Sequence, residues 1–307
     1  MSPKVNIILK VSLPDTPVNT YYNPFYFCQI CAILMPMDLI SPKNIKELLT
    51  QYDSTPSKGL GQNFLIDGHA LEKIIAAADL NSEDVIVEVG PGIGVLTQEL
   101  AKRTKKVIAI EKDQHMVNIL QKTLKAYDNV EIICADALQH NLDVKKYKVI
   151  ANIPYYITSP LIRKFLESTY KPTEIILMMQ KEVAQRICAK VPDMNLLAVS
   201  VQFYASPKIV SYVSKSSFWP APKIDSAIIK ITPKETTKNI DANAFFSIVK
   251  AGFSQPRKQL GNNFSKALKK DREIISAWLS QNNINPMQRA ETLSIADWER
   301  LTTNFLQ

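Results

Sequence analysis

Nowhere in the 307-residue chain do about eighteen apolar residues run together, so no membrane-crossing helix is expected. Cysteine is scarce: Cys28, Cys31, Cys134 and Cys188 are too few and too scattered for a disulfide scaffold, which favours a reducing, cytoplasmic setting. Cys28 and Cys31 form one C-x-x-C with no second pair and no histidine nearby, so no metal site is expected. Histidine is limited to His69, His115 and His140, all at positions read as helix or loop. The apolar stretch 22–36 is broken by prolines, and only Lys4 and Lys10 precede it, which makes a poor leader peptide. Residues 1–36 are therefore set apart as an extension of uncertain status. Repeats and low-complexity tracts are missing as well. Acid is short of base, 29 Asp+Glu against 37 Lys+Arg, and the net charge of +8 suits a polyanionic partner such as nucleic acid.

What is present alternates. Ser41-Pro42 reads as a helix start, with Ile45, Leu48, Leu49 and Tyr52 at helical spacing behind it. A glycine-bearing loop, 54–68, leads to a second helix with Leu71, Ile74, Ile75 and Ala78 on one face. Apolar, β-branched runs at 85–90, 106–111, 130–136, 148–152 and 174–179 then read as buried strands, separated by amphipathic stretches near 95–103, 113–126, 158–169 and 181–190. Strands alternating with helices predict a doubly wound, mainly parallel α/β sheet. The runs 196–205 and 223–231 are expected to complete it as an antiparallel edge. After Pro233 the pattern becomes helical, through 241–253, 257–269, 272–281 and 294–305. The expected organisation is thus a catalytic domain over 37–233 and a smaller all-α domain over 234–307.

The segment VEVGPGIG follows the first of these strands and opens a helix. Gly90, Gly92 and Gly94 let the backbone approach a ligand closely, at a helix end that donates N–H groups. Glu111 closes the second strand, where an acid can accept from both hydroxyls of a ribose, and Asp136 closes the third, placed for an adenine amino group. Val95 stands where a dinucleotide fingerprint wants glycine, so an adenosyl ligand without a pyrophosphate is preferred over a nicotinamide cofactor. The fourth strand ends oddly, in ANIPYYITSP. A turn alone would account for Asn and Pro. Chemistry offers another reason: the side-chain carbonyl of Asn152 and the backbone carbonyl of Ile153 can accept both hydrogens of an exocyclic amine. That would localise a lone pair otherwise delocalised into the base, while Tyr155 offers a face for stacking.

Together the segments GQNFLID (61–67), VEVGPGIGVLT, IEKD (110–113), DAL (136–138), NIPYYITSP and FWPAPKIDSA (218–227) resemble the ribosomal RNA adenine N6-dimethyltransferase family, and within it the bacterial small-subunit (16S) enzymes. The motifs fall in the same order from about residue 41 to the C-terminus. The resemblance implies a Rossmann-like methyltransferase domain that binds S-adenosyl-L-methionine through Gln62, Asn63, Leu65, Gly90, Gly92, Glu111, Asp136, Ala137 and Asn152. Asn152, Pro154, Tyr155 and Phe218 would form the catalytic set, with Phe218 and Tyr155 sandwiching the target base. Two departures are small: isoleucine replaces leucine after Asn152, and Ala135 stands where glycine commonly precedes Asp136.

The implied reaction is dimethylation of two adjacent adenosines in the 3′-terminal hairpin of small-subunit RNA, on an immature 30S particle and by a monomer. Seven basic residues between 250 and 272 (Lys250, Arg257, Lys258, Lys266, Lys269, Lys270 and Arg272), with Gln259, Asn262 and Asn263 among them, would help dock the RNA. They could equally form a solvated helix face. The rival readings are a large-subunit resistance methyltransferase and a nucleic-acid-binding relative without turnover.

Overall fold

The computed structural model describes residues 37–57, 59–234 and 240–305, so the extension 1–36, with Cys28 and Cys31, lies outside the described residues. Within Met37–Gln307, one compact unit, Pro42–Gln51 is the first helix (α1), with the Ser41 hydroxyl accepting from the Asn44 N–H. Gly68–Ala78 (α2) is capped by Asp67. The strands Val85–Val89 (β2), Lys106–Glu111 (β3), Val130–Cys134 (β4), Lys148–Asn152 (β5) and Glu174–Gln180 (β6) pair in parallel. Helices Val95–Ala101 (α3), Gln114–Thr123 (α4) and Thr158–Glu167 (α5) connect them, and Lys181–Ile187 (α6) follows β6. A short ribbon of Phe64–Leu65 (β1) and Phe218–Trp219 (β8) lies apart from the main sheet.

The main sheet runs β4-β3-β2-β5-β6-β9-β7, where β7 is Ala205–Val213 and β9 is Ser226–Pro233. Both closing strands are antiparallel, as the edge expected from sequence would be. One of them is not where the sequence pattern puts it. LLAVSVQFYA, which reads as a strand, is instead helix α7, Leu196–Tyr204, and the strand comes after it at 205–213. Asn195 starts the helix by accepting from the Ala198 N–H. The helix lacks a polar face because it is buried on two sides: Val201 packs with the sheet, whereas Ala198 and Val199 pack with the C-terminal helices. An unbroken apolar run cannot by itself separate a buried strand from a buried helix.

Alternate residues of each parallel strand serve opposite faces of the sheet. Ile86, Ile150 and Ile176 join α1, α2 and α3 on one side; Val87, Val149 and Ile175 join α5 and α6 on the other. The helices Ala242–Gly252 (α8), Leu260–Leu268 (α9), Arg272–Gln281 (α10) and Ile295–Thr303 (α11) surround a third core built on Phe245, Phe264, Trp278 and Trp298. Phe203 of α7 stacks on Phe245 at 4.0 Å between centroids.

Gly252 lets the Trp298 indole approach, since a methyl group there would stand 2.4 Å from Cη2. Helix propensity would reward Gly252→Ala by about 1 kcal/mol, but overpacking costs about 1–3 kcal/mol. The substitution is therefore expected to lower the urea midpoint, and a raised midpoint would mean that the indole yields.

Candidate active site

The strand order reverses between β2 and β5, so their connections leave in opposite directions and a crevice opens at their carboxyl ends. A cavity of about 270 Å³ occupies it, and of the residues singled out from the sequence for the cofactor or for catalysis all but Gly94, which packs against Leu120, Thr123 and Leu124, line its wall. The glycine loop forms one side. The Gly90 N–H donates to the Ile110 carbonyl at 2.9 Å, and Gly92 (φ +59°) passes so close to Phe64 that a methyl group would meet its ring at 3.3 Å.

Glu111, only 7% exposed, holds that loop to the end of β3. Its Oε2 accepts from the Gly92 N–H at 3.1 Å and its Oε1 from the Asp113 N–H at 2.9 Å. Burial pushes this carboxyl above its ordinary range, against the pull of the backbone donors of Asp113, Gly92 and Lys112. Asp136 is different. The Lys112 ammonium, 2.8 Å from Oδ2, holds it below the usual carboxylate range, helped by the Leu138 N–H on Oδ1.

The loop before α2 supplies the second side. The Gln62 side chain bridges two segments, donating to Asp113 Oδ2 at 2.8 Å and accepting from the Ser57 N–H at 2.8 Å. The Asn63 backbone carbonyl accepts from Asn152 Nδ2 at 3.4 Å, which leaves the Asn152 carbonyl oxygen as the uncommitted end of that amide. Leu65 faces Phe218 in the two-stranded ribbon, which is fastened by the Ile66 N–H to the Ser217 carbonyl and by the Ser217 hydroxyl to Asp67. Phe218, 3% exposed, is thereby carried into the wall from a segment 150 residues away in sequence. Across the cavity Pro154 precedes a single 3₁₀ turn, Tyr155–Ile157. The Tyr155 hydroxyl meets that of Ser226 at 2.7 Å, and burial raises its pKa.

Four contributors stand outside the residues singled out from the sequence. Lys112, Asp113 and Ser226 fall within the segments IEKD and FWPAPKIDSA, but their roles rest on bonds to residues distant in the chain. Glu88 carries a local signal: it is the lone acid inside the apolar run VIVEV. It is 1% exposed, lines the cavity, and its Oε2 has no hydrogen-bond partner. One expectation for the basic tail also changes. Asn263, a candidate RNA contact by sequence, is buried and donates to the carbonyls of Gly252 and Gln255. Lys250, Arg257, Lys258, Lys266, Lys269, Lys270 and Arg272 are all exposed.

An open α/β sheet with a glycine-rich loop after its first long strand, and acidic acceptors closing the next two, fits an adenosyl ligand. Lys112, the one basic side chain among the described residues of the wall, is committed to Asp136 rather than free for a phosphate. This is the fold and site of an S-adenosyl-L-methionine-dependent methyltransferase.

The profile of the ribosomal RNA adenine dimethylase family matches residues 54–306. The chain is 43% identical to "Ribosomal RNA small subunit methyltransferase A" of Dehalococcoides mccartyi, over 85% of this chain and 92% of that protein. It is 42% identical to the protein of the same name from Bacillus pumilus, over 89% and 99%. Among solved structures it resembles a dimethyladenosine transferase from Plasmodium falciparum (TM-score 0.69, 30% identity, 77% of this chain and 95% of that one). It also resembles the 23S rRNA methyltransferase ErmE (TM-score 0.66, 25% identity, 80% and 100%). The chain belongs to the ribosomal RNA adenine dimethylase family.

Burial raises the Glu88 pKa to about 8, and the nearby Glu111 carboxyl adds to the rise while the Thr97 hydroxyl opposes it. The native state thus keeps a proton that the unfolded chain loses above about pH 4.5, and stability falls as pH climbs from there to about 8. Glu88→Gln is expected to flatten that fall, which has a limiting slope of about 1.4 kcal/mol per pH unit. Parallel urea curves for both proteins at pH 5 to 8 check this, and equal slopes would count against a protonated Glu88.

Proposed function

We propose that this enzyme dimethylates N6 of two adjacent adenosines in the 3′-terminal hairpin of small-subunit ribosomal RNA, during ribosome assembly. The observation that carries the reading is the placement of Asn152, Tyr155 and Phe218 around one cavity that the glycine loop also lines. S-adenosyl-L-methionine supplies an electrophilic methyl group. Glu111 would accept from its ribose hydroxyls and Asp136 from its adenine amine, with Gln62, Asn63, Leu65, Gly90, Gly92 and Ala137 shaping the remaining wall.

Adenine N6 is a weak nucleophile until its lone pair leaves conjugation. The Asn152 side-chain carbonyl and the Ile153 backbone carbonyl would draw its two hydrogens out of the ring plane. Pro154 would fix the turn that presents these acceptors, while Tyr155 and Phe218 hold the extruded base between their faces. Identity above 40% with small-subunit enzymes favours that RNA over the large-subunit substrate of ErmE, although the fold is shared with both. The substrate would be an immature 30S particle, met in the cytoplasm by a single copy of the chain, with the exposed basic residues of 250–272 contacting phosphates.

Purified protein given labelled cofactor and undermethylated 30S subunits is expected to label two neighbouring adenosines near the 3′ end. Label in 23S RNA instead would support the large-subunit reading. Asn152→Ala is expected to slow single-turnover transfer by about two orders of magnitude or more, the scale of a lost transition-state hydrogen bond. Its melting temperature should move little, because Asn152 donates only one long bond, at 3.4 Å. A large melting shift with an unchanged rate would make Asn152 a turn residue only.

Docking has its own test. Lys269 is in a left-handed conformation (φ 53°), so its replacement would mix backbone strain with lost charge. Arg257→Gln, Lys266→Gln and Lys270→Gln avoid that problem. Each lost phosphate contact is expected to lower the salt slope of RNA binding by about 0.7–0.9, with cofactor affinity unchanged. An unaltered slope would return these residues to the solvated-face reading.

A further inference from the structure

Among the described residues, five side chains carry a buried polar atom with no hydrogen-bond partner, and only Glu88 of the five lines the cavity. Its position explains its isolation. Glu88 and Ile86, two residues apart on β2, face the same side of the sheet, where Ile74 of α2, Leu96 of α3 and Ile93 from the loop before α3 form an apolar surround. In β3 the residue in register with Glu88 is Ala109, which offers no donor from its side chain. An acid with one oxygen unpartnered in such a place, and only the Thr97 hydroxyl to help it, is disfavoured as an anion. A neutral residue of similar shape, glutamine, would have served a purely structural purpose with less penalty.

We propose that Glu88 is a proton-exchange site for the cofactor: it is a neutral carboxylic acid in the free enzyme and releases its proton when the cationic cofactor enters. The proposal rests on the cofactor reading of this cavity and deepens it. S-adenosyl-L-methionine carries a sulfonium, an ammonium and a carboxylate, one net positive charge, into a wall already holding Glu111. Charge inside a low-dielectric cavity is strongly felt. The entering cation makes the Glu88 anion favourable, the O–H bond breaks, and the proton passes to solvent. Methyl transfer then removes the sulfonium charge, since the sulfur of S-adenosylhomocysteine is neutral. The reason for the anion is weakened, and Glu88 takes a proton back as product leaves. One acid thus distinguishes substrate from product by a charge that the reaction itself removes.

The other titratable groups of the cavity do not duplicate this role. Glu111 already accepts from two backbone N–H groups, and Asp136 is paired with Lys112. Asp113 is bonded to Gln62, and the Tyr155 hydroxyl to Ser226. Tyr156 is exposed, and α3 brings Thr97, α2 only Ile74, toward this face.

Calorimetric titration of the whole enzyme with S-adenosyl-L-methionine, in buffers of different ionisation heat at pH 7, counts protons released on binding. The cofactor's own amine titrates alike for both proteins, so the comparison with Glu88→Gln isolates the side chain. Wild type is expected to release close to one proton more than the variant. Its affinity relative to the variant should rise about tenfold per pH unit and level off above about pH 8. S-adenosylhomocysteine should produce a smaller difference. Equal proton counts overturn the proposal while leaving the cofactor site intact, whereas absence of any binding heat would remove the cofactor reading and the proposal together. Should the variant fail to fold, infrared difference spectra of wild type decide. A protonated-carboxyl band lost on adding cofactor supports proton release, and an unchanged band refutes it.

Discussion

Everything at the active site depends on the parallel pairing of β2 with β5, in which Ile86 faces Lys148 and Val87 faces Val149. Two strands separated in the chain by two β–α units become neighbours, and the connection leaving each strand turns away from the other. The glycine loop at the end of β2 and the Asn-Ile-Pro-Tyr turn at the end of β5 are thereby brought to the same opening. A donor ligand and an acceptor amine can then meet without either loop being long. The sheet core makes this durable, because the strands that set the spacing are buried on both faces.

Around that opening the acidic groups have been given unlike environments. Glu111 is buried but tethered by backbone donors, Asp136 is partly exposed and salt-bridged, and Glu88 is enclosed with the Thr97 hydroxyl beside it and its Oε2 unpartnered. Three carboxyl groups of similar intrinsic acidity are thus spread over a range of proton affinities by burial and bonding. The chain spends few residues on this, since the same bonds that tune the acids also tie the loops to the sheet.

Much of this is legible in the sequence, and the reasons for the rest are physical. Parallel strands advertise themselves as short β-branched runs, and the ends of β2, β3, β4 and β5 expose the residues that line the cavity. The α7 segment misleads because the cue for a helix, a polar stripe, is erased when both sides are covered. The strand after it, ASPKIVSYV, is hard to see because Pro207 and Ser211 take its less exposed positions while Val210 and Tyr212 take exposed ones, so its hydropathy does not follow its alternating burial. Asn263 looks like a surface amide until its carbonyl partners are known. Pairings such as Lys112 with Asp136 or Tyr155 with Ser226 are products of the fold and leave no trace in local pattern.

The two-sided burial of α7 bears on how the chain is made. Synthesis delivers the N-terminal portion first, so the sheet and α7 leave the ribosome before α8 through α11 exist. Until those helices arrive, Ala198, Val199 and Phe203 have no covering on their outer side. A greasy strip on a nearly finished sheet is a site for sticking to other chains. The last quarter of the polypeptide therefore acts as a lid for its own predecessor, and a message truncated before α8 would yield a product prone to aggregate even with the cavity-lining residues all present.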